Sequence, residues 1–252
     1  MSGDKFWLEQ LAPLYHRLAN SFMAQFYLSG QDIRVDGKQM DLADRVSLAF
    51  ATLSATEFVH LFAVFNGSRV HVQPERSISR DGAPAGLSFT VINRRLIQNG
   101  HKNKMLVFQQ AHEKPTMVLT HMHIDHFFLN QHTTPRMLGT LAFALCAMTA
   151  CKTGIGKISF IAAGGVNSPS QYLGYKIWPK FGFDAPLEPG ETAAANHLSG
   201  CATVQQVIAR DETWWAVHGS QRRMEFDLAE NSVSWKKLLI YLGEKMNSME
   251  VL

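Results

Sequence analysis

The sequence predicts an α/β chain with a mixed, mainly antiparallel central sheet flanked by helices. Three observations carry that prediction. Apolar residues recur at helical spacing over residues 4–28 and again over 40–65. From Arg69 the period shortens to two, with Arg69–Gln73 and Leu87–Val91 alternating in polarity. Between Met117 and Ala162 a strand, a long helix and a second strand follow one another, the order of a layered sheet-and-helix fold. Of 252 residues, 46% are apolar and 18% charged, a composition that supports a sizeable core and excludes a disordered chain. The 24 basic and 21 acidic residues leave a net charge of +3, too small a surplus for a general nucleic-acid binder. Cys146, Cys151 and Cys201 form no Cys-x-x-Cys pair, so neither a disulfide framework nor a thiolate zinc site is expected. The N-terminus carries early acids and no long apolar stretch, unlike a secretion signal, and the best apolar run, Leu138–Cys151, is too short to span a bilayer. The expectation is a soluble, cytoplasmic protein of a reducing compartment, with no membrane partner.

Each element follows in order. Phe6, Leu8, Leu11, Leu14, Tyr15, Leu18, Phe22 and Phe26 predict a helix interrupted near Pro13. Gly30–Gly37 holds turn residues. Leu42, Val46, Ala49, Phe50, Leu53, Phe58, Leu61 and Phe62 predict a second helical region, closed by the Asn66-Gly67-Ser68 turn. The strands at 69–73 and 87–91 are joined by an Asp81-Gly82-Ala83-Pro84 turn, and 105–109 and 117–129 are further strands. On the last, Met122, Ile124 and Phe128 share one parity and His121, His123, Asp125 and Phe127 the other, while His126 points away from its neighbouring histidines. Thr133-Thr134-Pro135 opens a helix to Lys152, with Thr134 as cap and Pro135 at the first helical position. A buried strand is expected over Lys157–Ala162, a loop over Gly164–Gly174 and a helix-to-strand connection over Gly174–Phe183. Residues 191–210 read as helix, Thr213–His218 and Arg222–Leu228 as strands about Gly219, and Trp235–Lys245 as a last helix opened by Ser232 or Ser234. Arg222-Arg223 and Lys236-Lys237 read as solvated basic pairs. No repeat or low-complexity linker interrupts the chain. A single domain is expected over 1–252: a helical N-terminal region over 1–65, a sheet core over 66–230 and a C-terminal helix over 231–252.

The segment from His123 to Leu145 is a strand, a polar turn and a helix whose first turn reads Arg136-Met137-Leu138-Gly139-Thr140. A helix N-terminus offers unpaired N–H groups and partial positive charge, which suit a pyrophosphate. Gly139 removes a side chain from that approach, and Arg136 adds a bidentate fork. Arg136-x-x-Gly139-x-Leu141 resembles the acyl-CoA signature of the GNAT N-acetyltransferase superfamily, Arg/Gln-x-x-Gly-x-Gly/Ala, with Leu141 in place of the final small residue. Gly154-Ile155-Gly156, the strand Ile158–Ala162, Asn167, and Tyr175…Trp178…Gly182-Phe183 follow at the family's distances, Trp178 standing for an aromatic that is usually Tyr. The likeness covers residues 117–184, about a quarter of the 252.

The resemblance implies a GNAT-like acyl-CoA acyltransferase fold with helical additions at both ends. It implies acetyl-CoA as cofactor, with Arg136, Met137, Leu138, Gly139 and Thr140 at the pyrophosphate and Phe128, Leu129, Asn130, Asn167 and Tyr172 along the rest of it. The reaction is then direct attack of an amine on the thioester, which needs both partners held and a proton accepted. Asp125 or His123 stands as base, and Tyr175, with Tyr172 as the other choice, as acid. The acceptor is an amine on a small molecule, a protein or an aminoacyl group, with nucleic acid only in that role, and a homodimer is open. A second reading starts from His121-Met-His123-Ile-Asp125-His126, which resembles the metal motif of the metallo-β-lactamase fold and implies a metal-dependent hydrolase. That family's upstream Asp-x-Gly strand end is not found between Asn66 and Lys114; His197, Asp211 and His218 are its conceivable later ligands. A third reading, permitted by Leu141 and Trp178, is a catalytically degenerate GNAT-fold binding protein.

Overall fold

The computed structural model describes residues 5–79, 82–97, 100–111, 118–165, 168 and 172–250. Where a single domain is expected, the chain divides into two compact units. The first comprises Met1–Ile158 with Leu228–Glu230 and Lys245–Leu252, the second Ser159–Asp227 with Asn231–Glu244.

In the first unit a π-helical turn, Trp7–Leu11, runs into α1, Ala12–Ala19. Pro13 sits in the first turn of α1, where no N–H is needed, so the break falls later than expected, at Asn20-Ser21. There the Ser21 hydroxyl accepts from the Ala24 N–H (3.3 Å) and opens α2, Phe22–Tyr27. β1 (Arg34–Val35) and β2 (Lys38–Gln39) form a hairpin through Asp36-Gly37, whose φ values of 47° and 82° are those of a two-residue type I′ turn. The helix expected from residue 40 is corrected. β3 (Arg45–Ser47) pairs antiparallel with β4 (Thr52–Ser54), and only α3, Ala55–Leu61, is helical. The reason is local: Ser54 and Glu57 form a capping box, with Glu57 N–H on Ser54 Oγ at 3.2 Å and Ser54 N–H on Glu57 Oε2 at 2.8 Å.

The sheet of this unit runs β8-β7-β6-β5-β1-β2. Its long strands are β5 (Arg69–Glu75), β6 (Gly86–Ile92), β7 (Asn103–Ala111) and β8 (Val118–His126), each antiparallel to the next, while β1 is parallel to β5. The mixed α/β class with a mainly antiparallel sheet and flanking helices is therefore what forms. One face of the sheet is apolar. Phe62 stacks on Phe89 at 3.7 Å between ring centres, and both are fully buried. α4, Leu138–Lys152, is buried around nearly its whole circumference, which explains its lack of a polar stripe. Its Cys146 thiol donates to the Leu61 carbonyl (3.0 Å) and lies 3.8 Å from Met122 Sδ. Burial pushes that thiol up to about 12, so it behaves as a small apolar group. The start expected for this helix is also corrected. Met137 is left-handed (φ 73°), so helical backbone begins only at Leu138; Thr134 does not cap it but donates its hydroxyl to the Leu96 carbonyl at 3.2 Å.

β9, Ile155–Ala162, begins in the first unit and ends in the second. In the second unit β10, Arg222–Asp227, is its neighbour. The stretch 191–203 is mostly turns with one short 3-10 segment, Asn196–Leu198, and α5, Gly174–Ile177, leads into another, Trp178–Phe181. Residues Thr213–His218, expected as a strand, belong instead to α6, Val204–His218. Asp211 explains this: its backbone leaves the helical region (φ −155°, ψ 88°), and its carboxylate then accepts from the Trp214 N–H (2.8 Å) and starts the helix again. α7, Val233–Glu250, opens on Ser232, whose hydroxyl accepts from Trp235 N–H at 3.3 Å. An edge-to-face chain of Phe160, Phe183, Phe226 and Trp235, with centres 4.8, 5.5 and 5.3 Å apart, forms the core. Arg222 is not solvated as expected. It is buried, pairs with Glu191 and lies over the Trp215 ring at 4.8 Å. Among the described residues no helix is long and apolar enough to cross a membrane.

Candidate functional site

The second face of the first unit's sheet carries charge. His123 is opposite Leu106, Leu106 opposite Ser88 and Ser88 opposite Gln73; Lys104 lies between Thr90 and His126. Alternation turns these side chains away from Phe89 and Met122. Lys104 Nζ stands 3.0 Å from Glu75 Oε1 and 3.6 Å from Asp125 Oδ2. The Ser88 hydroxyl is 3.0 Å from the Gln73 carbonyl oxygen and 3.2 Å from Glu75 Oε1. His123, 1% exposed, is buried beside this cluster.

Asp125 sits where the ladder breaks. Lys104 pairs with His126 but Met105 pairs with Ile124, so Asp125 is an extra residue in β8 with no partner on β7. Such a bulge bends the strand and re-aims the side chains on either side. Strict alternation would send His126 to the opposite face; the bulge instead brings its Nδ1 to 3.3 Å from Asp125 Oδ2. Burial pushes the Asp125 carboxyl up, but His126, Lys104 and His123 together outweigh it and hold the group below the usual carboxylate range. The hydrogen bond and charge of Lys104 hold Glu75 down as well. Both are carboxylates at neutral pH.

The turn after β8 is built on backbone bonds. The Phe128 N–H donates to Asn103 Oδ1 (2.7 Å), and the His101 ring lies 4.2 Å from the Phe128 ring. The Asn130 carbonyl accepts from Thr133 and Thr134 N–H (3.2 and 2.9 Å) and its side chain from His132 N–H (3.0 Å), so Asn130 organises the turn. At the start of α4, Leu138 N–H donates to Pro135 and Leu141 N–H to Met137 (3.2 and 2.9 Å). Among the described residues the N–H groups of Gly139 and Thr140 have no acceptor, and exposed Arg136 has no carboxylate within 4.0 Å. This donor set fits a phosphate. Gly139 leaves its approach clear of a Cβ, and half-buried Leu129 leans into that space: a Cβ there would meet Leu129 Cδ1 at 3.0 Å and Phe127 Cε1 at 3.9 Å. Leu141, the residue that departs from the family signature, is buried in the core and away from the helix's open edge.

The remaining residues singled out in the sequence lie in the second unit. Tyr175 is buried, donates its hydroxyl to the Ala216 carbonyl (3.1 Å) and accepts at its own carbonyl from Trp215 Nε1 (2.9 Å). Its ring lies so close to Gly164 and Gly219 that a Cβ on either would meet it at 2.9 Å. Tyr172 is partly exposed, Trp178 packs 4.6 Å from Phe160, and Asn167 lies outside the described residues. His197 and Asp211 pair at 3.0 Å on the surface. Among the described residues no three His, Cys, Asp or Glu side chains converge to hold a metal, His121, His123, Asp125 and His126 included. Sequence reasoning missed Lys104, Glu75 and Ser88. They come together only through cross-strand register, which no local pattern displays. No protein-family model, no curated protein and no solved structure matches this chain.

Proposed function

We propose that this chain is an acyl-CoA-dependent N-acyltransferase of GNAT-like fold that moves an acyl group, most simply acetyl, onto an amine. The observation that carries the reading is the corner from β8 to α4. An ionised carboxylate stands at a bulge, and the helix that follows opens on two free N–H groups beside an exposed arginine. In this reading the Gly139 and Thr140 amides and the Arg136 guanidinium hold the pyrophosphate, and Leu129 turns aside to admit it. Acetyl-CoA supplies an acyl group already activated as a thioester. Asp125, kept charged by Lys104 and His126, attracts and orients the acceptor's ammonium. His123 takes the proton as the nitrogen lone pair is freed; that lone pair bonds the thioester carbon, the C–S bond breaks, and CoA leaves as a thiolate that takes its proton from solvent. Tyr175, whose hydroxyl is engaged with the Ala216 carbonyl, is assigned a structural role in the second unit.

The experiment is release of free thiol from acetyl-CoA against a panel of amines, with Asp125→Asn alongside the unaltered protein. Amine-dependent thiol release that falls about 100-fold in the variant supports the reading, in line with the usual cost of losing a group that positions a reactant. Release unaffected by the substitution removes Asp125 from the site. Acetyl-CoA binding without turnover of any amine would instead favour the degenerate binding protein. The observation favouring that second reading is Lys104, which already neutralises Asp125 at 3.6 Å.

A further inference from the structure

At the far edge of the same sheet, parallel pairing sets Arg34 of β1 directly beside Arg69 of β5. Residues in register on neighbouring strands share a face and lie about 5 Å apart, which sets two exposed arginines at adjacent positions of one face. Like charges so placed destabilise a sheet unless something answers them. Among the described residues neither arginine has a carboxylate within 4.0 Å. The nearby acid, Asp36, is engaged elsewhere: its Oδ1 accepts from the Val72 N–H at 3.1 Å and lies 3.8 Å from His71 Nδ1.

The surroundings are shaped and held. Arg34, Gly37, Arg69, Val70 and His71 line a pocket of about 190 Å³. Gly37 contributes no side chain, and a Cβ placed there would meet nothing within 4 Å. Backbone bonds from Arg34 N–H to Ser68 (3.1 Å) and Asp36 N–H to Val70 (2.9 Å) fix the strand pair, and the Asp36-Gly37 turn closes it. His71, two residues along β5 from Arg69, presents its ring on the same face.

We propose that the Arg34–Arg69–His71 pocket binds the phosphate group of a small phosphorylated ligand. A dianion answers both guanidinium groups at once, and each fork matches two phosphate oxygens. The volume equals the share of roughly six liquid waters, enough for a phosphate and the first atoms of its carrier. The pocket lies three and four strands away from β8, and the inference does not depend on acyl transfer.

The test is thermal unfolding of the chain titrated with inorganic phosphate and, separately, glycerol 3-phosphate, in buffers matched to constant ionic strength with chloride. The expected result is a saturable rise in Tm. Arg34→Gln and Arg69→Gln each weaken the apparent affinity by about tenfold to a hundredfold, the loss of hydrogen bonds to a charged group, and Arg45→Gln on β3 leaves it unchanged. Tighter response to glycerol 3-phosphate assigns the site to an organic phosphate, and equal response to the free ion. Because the two arginines repel, neither Gln variant lowers Tm in phosphate-free buffer. A response that does not saturate, that chloride reproduces, or that survives both substitutions overturns the proposal. A fall in phosphate-free Tm in both variants does so too, because it makes the pair structural. No acyl-CoA enters the assay, so this result and that of the acyl-transfer test stand apart.

Discussion

Replacing Gly139 with alanine separates the packing at the α4 corner from its proposed ligand chemistry. The new Cβ meets Leu129 Cδ1 at 3.0 Å, closer than the 3.5–4.0 Å of a comfortable carbon contact. Leu129 is only half-buried and can swing away, at about 0.5–1.5 kcal/mol if its new χ angles are imperfect. Alanine in place of glycine in a helix returns up to about 1 kcal/mol. The net change in stability is therefore within about 1 kcal/mol, or about 2–4 °C in Tm for a chain of this length. Binding should behave otherwise, because the added methyl and the displaced leucine stand between an incoming anion and the Gly139 and Thr140 amides. Losing one charge-assisted hydrogen bond weakens affinity by about tenfold to a hundredfold. Scanning fluorimetry without ligand and calorimetry with acetyl-CoA read the two effects separately. A Tm drop beyond about 8 °C would refute the claim that Leu129 yields, and unchanged affinity would refute the claim that the anion approaches along Gly139.

Three other outcomes follow from the packing and charge described above. The Asp125 and Glu75 carboxyls have folded pKa values below their ordinary 3.8 and 4.5, so the unfolded chain binds more protons in acid. Their stabilisation is complete above those ordinary values and lost as pH falls through the lowered folded ones. Lys104→Met should flatten the dependence of urea stability on pH below about 5, and an unaltered slope would contradict the assignment of Lys104. Phe89→Ala, which empties the place stacked 3.7 Å from Phe62, should cost about 3–5 kcal/mol in chemical denaturation, and a loss under about 1 kcal/mol would count against a close-packed core. Arg222→Ala leaves half-buried Glu191 without its partner and should cost about 3 kcal/mol; Arg222→Lys should recover only a fraction of it, since lysine lacks the fork, and full recovery by lysine would argue against the bidentate pair.

What was legible in the sequence was what depends on neighbours along the chain. Phe58 and Leu61 fall in the helix at 55–61 that their spacing predicts, the turn residues of 30–37 include the Asp36-Gly37 turn, and the strands at 69–73 and 87–91 announce themselves by alternation. The errors came where a distant residue or one backbone angle decides. The left-handed Met137 delays α4 by three residues beyond Pro135, although Thr-Thr-Pro is a sound helix opening. Asp211 breaks and restarts a helix that its β-favouring neighbours Thr213, Trp214 and Trp215 disguise as a strand. Arg222 reads as a surface residue until Glu191, thirty-one positions earlier, is placed against it. At the candidate site, parity correctly put His121 and His123 on one face but sent His126 to the other. One inserted residue at a bulge reverses every later side chain, and nothing in the local residue types marks it. Lys104, which pairs with both carboxylates of the cluster, is twenty-one or more residues from each of them.

The central claim is that the α4 corner receives the pyrophosphate of an acyl-CoA. Calorimetric titration of the chain with acetyl-CoA, repeated on Gly139→Glu, tests it most directly. The predicted result is saturable binding to the unaltered protein and none to the variant, whose new carboxylate occupies and repels the anion's place while its Tm without ligand stays within a few degrees. A folded, unaltered protein that takes up no acetyl-CoA, or a variant that binds it as well as the parent, contradicts the claim.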